Sequence, residues 1–133
     1  MQKPLISLSV LFALTGCAGG IQSDGSSPSL SYTVPRHYQM VYLRAQNQAE
    51  QCLRGEGHMV VRVNIDPTAQ SGVVSVQDPI SGTEVARTEL KAVDVRHTEV
   101  KHTVWGRHPW DIDALNAMRQ SVRMDISTCF AYR

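Results

Sequence analysis

Five histidines, one close pair of aspartates and two tryptophans bracketing an arginine are the side chains with which this 133-residue chain could do chemistry. His97 and His102 are five apart. In an extended strand side chains alternate, so that spacing sends the two imidazoles to opposite faces rather than onto one ion. No Cys or His pair has the spacing of a structural zinc site. Neither a metal nor another cofactor is expected. Asp111 and Asp113 suggest a carboxylate pair for acid–base work. Both follow Pro109 at the start of a short helical pattern, where unpaired backbone amides and the helix dipole already stabilise negative charge. Serine is abundant but no Gly-x-Ser-x-Gly elbow holds one. Gly55-x-Gly57 lacks a third glycine and precedes a strand, so it does not cradle phosphate. No CxxC pair is present. An enzyme whose groups converge from distant positions stays open, without a motif to support it. What remains is VWGRHPWD, in which Trp105 and Trp110 flank Arg107. Trp and Arg dominate many protein–protein interfaces, so these three residues are a candidate partner contact. The alternative is that one or both rings cap the core at a strand–helix junction.

The elements that would position these residues follow from periodicity. Tyr38, Val41, Tyr42, Ala45, Ala49, Cys52 and Leu53 recur at helical spacing after Pro35, and Gly55 and Gly57 stop the pattern. The period then changes to two. Val61, Val63 and Ile65 alternate with Arg62 and Asn64, and Val74 and Val76 alternate with Ser75 and Gln77. Asp78-Pro79-Ile80-Ser81-Gly82 reads as a turn. A longer alternating tract, residues 83–105, changes its apolar parity between Val93, Val95 and Val100, Val104, which predicts a bulge or break at residues 96–98. Residues 105–109 form a loop. Residues 110–119 read as a short helix with Ile112, Leu115 and Met118 on one face, and residues 121–133 as a last strand with Val122, Met124, Ile126 and Phe130 on one side. The expected fold is α+β: an N-terminal helix packed on a small antiparallel sheet of four to five strands, with one short additional helix.

The N-terminus carries an address. Lys3 precedes LISLSVLFAL, a ten-residue apolar run broken by two serines. That is too short to span a bilayer, which takes about 20 residues, and it fits the core of a signal peptide. It ends in Leu14-Thr15-Gly16-Cys17, which resembles the lipobox of bacterial lipoproteins. The resemblance covers about the first twenty residues. It implies cleavage before Cys17, acylation of that cysteine, and anchoring of the chain in membrane lipid. Ala18 stands where enterobacterial relatives destined for the inner membrane carry aspartate, which implies the outer membrane, with the domain facing the periplasm.

Cleavage would remove residues 1–16, and Lys3 with them. The 13 basic and 12 acidic residues of the whole chain then become equal in number. A balanced surface without a basic block argues against nucleic acid. With Cys17 assigned to lipid, Cys52 and Cys129 remain in an oxidising compartment, where thiols pair; two separate buried thiols are the alternative. The expected organisation is a signal peptide at residues 1–16, an acylated cysteine and flexible Gly/Ser-rich tether at 17–33, and a single periplasmic domain at 34–133. The expected function is that of a membrane-anchored, non-enzymatic structural, adaptor or binding module with an envelope protein partner. The alternative is a small periplasmic enzyme.

Overall fold

The computed structural model describes residues 19–131 of the chain. The elements run β1 (Ser29–Val34), α1 (Tyr38–Cys52), β2 (Val60–Asp66), β3 (Ser71–Gln77), β4 (Glu84–Asp94), β5 (His97–Val104) and α2 (Ile112–Met124). The five strands form one antiparallel sheet in the order β1-β5-β4-β3-β2. The meander β2 to β5 is built from hairpins. β1 is carried to the far side of β5 by the helical excursion through α1. Both helices cover one face of the sheet, α1 chiefly over β3 and β4 and α2 over β5 and β1.

Local chemistry explains the turns. The Asp78 carboxylate accepts from the Ile80 and Ser81 amides between β3 and β4, and the Asp94 carboxylate accepts from the Arg96 amide between β4 and β5. These are the side-chain-to-backbone bonds that make Asp a turn residue. Alternation then sorts the sheet's faces. Val74, Val76, Ala86, Leu90, Val100 and Val104 point toward the helices and are buried. The outer face is polar, with Glu89 opposite Lys101 and Lys91 opposite Glu99 across β4 and β5. Such opposed pairs support a solvated face.

The α+β class, the antiparallel sheet and the second helix are as expected, but several elements differ. The long helix is not N-terminal: β1 precedes it, and β1 takes up residues assigned to the tether at 17–33. Ser and Thr fill the outward positions of that segment, while Leu30, Tyr32 and Val34 supply an inward set. The chain ahead of it is also held, by a bond from the Ile21 amide to the Glu84 carbonyl and by burial of Ser27. The ordered domain therefore begins well before residue 34. The parity change in residues 83–105 is a full hairpin turn at Val95 and Arg96, with a register shift between Ala92 and Asp94. Val93 and Val95 lie exposed at its tip rather than on the inward face.

Among the described residues the expected last strand is absent. α2 runs on to Met124, because Ala114, Leu115, Met118, Ser121 and Val122 continue one helical stripe. Asp125, in the left-handed region at φ 54°, ends the helix. Residues 126–131 then return along the helices as an irregular segment that leaves Ile126 and Phe130 exposed, as is Met124 on the last turn. Ile112, at the first turn, is also exposed rather than on the buried stripe. Gln48, a polar residue of α1, is buried and donates to the Thr128 carbonyl. Cys129 lies on the returning segment and forms a disulfide with Cys52 at the end of α1, with Cα atoms 5.0 Å apart.

Candidate functional site at the disulfide end

Trp105, Arg107 and Trp110 lie in the loop that leaves β5, and backbone hydrogen bonds hold the loop near both of its ends. The Trp105 amide donates to the Val85 carbonyl. Gly106 takes φ 98°, a conformation that favours glycine, and its amide donates to the Trp110 carbonyl at 2.8 Å. The Trp110 amide donates back to the Arg107 carbonyl at 2.7 Å. The His108–Pro109 peptide bond is cis. Asp111 caps α2, its carboxylate accepting from the Asp113 and Ala114 amides. Asp111 therefore serves helix α2 as an N-cap and Asp113 sits in its first turn, the structural roles expected from charge at a helix start.

The two tryptophans part company. Trp110 is buried, and its indole N–H donates to the Leu53 carbonyl at 2.7 Å, satisfying a helix-end acceptor of α1. Gly55, in the left-handed region at φ 59°, lies directly beneath that ring. Trp105 is half-buried, its ring centroid 6.3 Å from that of Trp110. The Arg107 guanidinium stands over the Trp105 ring, 5.4 Å from its centroid. Arg107, His108 and Pro109 are exposed. The core alternative thus describes Trp110, while Trp105 and Arg107 reach the surface. Against His108 and Pro109 of the loop, a groove of about 240 Å³ is lined by Leu53, Pro109, Ala114, Phe130 and the Cys52–Cys129 disulfide, with Asp111, Asp113 and His108 at its polar margin. Phe130 is 82% exposed. A hydrogen-bonded loop backbone, a cation stacked on an indole and an open apolar groove thus occur together at this end of the domain.

The histidines are dispersed. His37 caps α1, His97 pairs with Asp94 at the β4–β5 turn, His58 and His108 are exposed, and His102 is interior. Among the described residues no group of three or more His, Cys, Asp or Glu side chains converges as a metal site would require. His102 is the polar feature that sequence reasoning missed. It projects inward from β5 between Val100 and Val104, fully buried, with Nε2 2.7 Å from the Tyr32 hydroxyl and Nδ1 2.7 Å from the Thr88 hydroxyl. Burial, reinforced by Arg119, pushes its pKa down to about 3, so the ring is neutral near pH 7 and uses one nitrogen as donor and one as acceptor. Its even parity with two inward valines was the available signal. Burial also raises the Tyr32 phenol, against the opposing effect of Arg123 and Arg119. Cys17 and the lipobox lie outside the described residues. Compared with models of known families and with curated proteins, the chain matches none.

Proposed function

We propose that this chain is a lipid-anchored protein of the bacterial cell envelope, acylated at Cys17 and held at the outer membrane, whose periplasmic domain works as a structural, adaptor or binding module by contact with a protein partner. The observation that carries the binding role is the 105–111 loop: Arg107, His108 and Pro109 are exposed on a backbone fixed by three hydrogen bonds, next to the exposed Phe130. Presenting side chains from a pre-ordered loop leaves little conformational entropy to lose on association. Arg107 is the contact that would meet a carboxylate or an aromatic ring, and Trp105 stiffens it from below. Trp110 supports the loop from the interior. The address rests on the lipobox resemblance at residues 14–17.

Arg107→Ala tests the contact. The side chain is exposed, so the melting temperature should stay within about 2 °C of the parent protein. Proteins cross-linked to the parent chain in intact envelopes and recovered with it should be lost from the variant. Equal recovery would end this reading of the loop. The address has its own test. Metabolic labelling with a fatty acid should mark the parent chain and leave Cys17→Ala unlabelled and uncleaved, and a labelled Cys17→Ala protein would refute acylation at that residue.

A further inference from the structure

We infer that the free edge of β1, with the arginines of α2 beside it, accepts an extended acidic segment of a protein partner as an added strand. This goes beyond the proposed function, because it uses a different surface from the 105–111 loop. β1 is an end strand: β5 pairs with one side, and among the described residues no strand pairs with the other. An unpaired edge presents a row of amides and carbonyls that template another strand, and proteins usually blunt such edges with Lys, Pro or a bulge. Ser29-Leu30-Ser31-Tyr32-Thr33-Val34 contains none of these within the strand; Pro28 and Pro35 stand at its two ends and confine the free edge to these six residues.

A helix runs alongside that edge. The Gly106 backbone, shortly before α2, lies against Pro28, shortly before β1. At the other end Arg36 bonds Asp125, each just past its element. α2 therefore runs in the same direction as β1. Ile112, Arg119 and Arg123 are spaced seven and four apart, which puts them on one stripe of α2. The stripe faces β1, because the Arg123 guanidinium stands 5.3 Å from the centroid of the Tyr32 ring. Tyr32 is fixed in turn by its hydroxyl contact with His102.

The charges choose the occupant. Among the described residues neither Arg119 nor Arg123 has a carboxylate within ion-pair distance; Arg119 donates only to the Asn116 amide oxygen, and Arg36 and Arg44 have already taken Asp125. Arginines four apart on a helix are separated by about 6 Å along its axis. Alternate residues of a strand are separated by about 6.7 Å, so two acidic side chains on one face of an added strand match the two guanidiniums. A second copy of this chain is the poorer fit. β1 has no acidic residue, and pairing two copies edge to edge would bring arginine against arginine. The opposite edge, β2, carries both Arg62 and Asp66 and so favours neither sign.

The test uses the full chain in detergent micelles and a fluorescein-labelled peptide alternating glutamate with valine. Its binding, followed by fluorescence anisotropy, should be saturable and should weaken by about threefold for Arg119→Ala or Arg123→Ala, as expected for exposed ion pairs. Arg119→Glu/Arg123→Glu should weaken it by about tenfold and transfer preference to a second labelled peptide that alternates lysine with valine. Methylating alternate backbone nitrogens of the glutamate peptide should abolish binding, and β1 amides should exchange more slowly in the complex. Arg107→Ala should leave the peptide's affinity unchanged, so the loop contact and the strand contact stand or fall separately. Equal affinity for the acidic and basic peptides would overturn the proposal, as would full binding of the methylated peptide. So would arginine-dependent binding to phosphatidylglycerol vesicles without binding to the peptide, which would make the stripe a lipid contact. Self-association lost in the charge-reversed chain, again without peptide binding, would overturn it in favour of a second copy.

Discussion

Reducing the Cys52–Cys129 disulfide is expected to lower the melting temperature by about 18 °C. The bridge joins residues 77 apart, so it closes most of the folded domain into a loop. In the loop-entropy model a closure of that length stabilises by about 4.5 kcal/mol at 25 °C. One kcal/mol corresponds to roughly 4 °C for a domain near 100 residues. The effect is also local. Residues 126–131 form no regular element, and the segment is held to α1 by the bridge and by the Gln48 amide on the Thr128 carbonyl, and to α2 by the Ser121 hydroxyl, which accepts from the Thr128 amide. Once the covalent tie is cut, Thr128 should be among the first sites to exchange its amide proton, ahead of the global transition. Thermal unfolding with and without reductant measures the first effect and native-state hydrogen exchange the second. A melting temperature unchanged on reduction would show that the bridge adds nothing to the packing of the returning segment.

Where local pattern and tertiary packing agree, the fold was legible in the residues. The stripe from Tyr38 to Cys52 is a helix because its apolar positions face α2 and the sheet at once, and β2, β3 and β4 follow their valine and leucine alternation. The C-terminal segment failed because Val122, Met124 and Ile126 satisfy a period of two. Ser121 and Val122 satisfy the helical period as well, and only the neighbours decide between them: Ser121 donates to the Ala117 carbonyl one turn back. The burial of Gln48 was not legible for a related reason. A polar residue on the buried face is tolerable only with a partner, and its partner, the Thr128 carbonyl, lies 80 residues away. β1 was obscured by serines whose side chains face solvent. The disulfide came from compartment logic rather than geometry, and the return of residues 126–131 along the helices gives it a physical route. In the loop at 105–111 the residue types alone could not separate one tryptophan from the other, because the difference lies in what each ring meets across the fold.

That difference sets the largest single-residue effect expected. Trp110→Ala should destabilise the domain by about 3–5 kcal/mol, because truncating a buried aromatic ring removes its apolar contacts and leaves a cavity between the end of α1 and the start of α2. The ring rests on Gly55, touches the Trp105 ring, and belongs to the cluster that holds Ala45, Ala49, Leu53, Leu115 and Met118. A second variant separates packing from hydrogen bonding. Trp110→Phe keeps most of the apolar area but removes the indole donor, leaving the Leu53 carbonyl, on a buried helix-end residue, without that partner. An orphaned buried acceptor costs about 1–3 kcal/mol, so Trp110→Phe should fall between the parent and Trp110→Ala. Arg107→Ala, three residues earlier, should leave the same urea transition nearly unmoved. A Trp110→Ala midpoint shifted by less than the equivalent of about 1 kcal/mol would mean that the ring is not part of the core. The loop would then lose the internal support on which its rigidity, and so its case as a partner contact, depends.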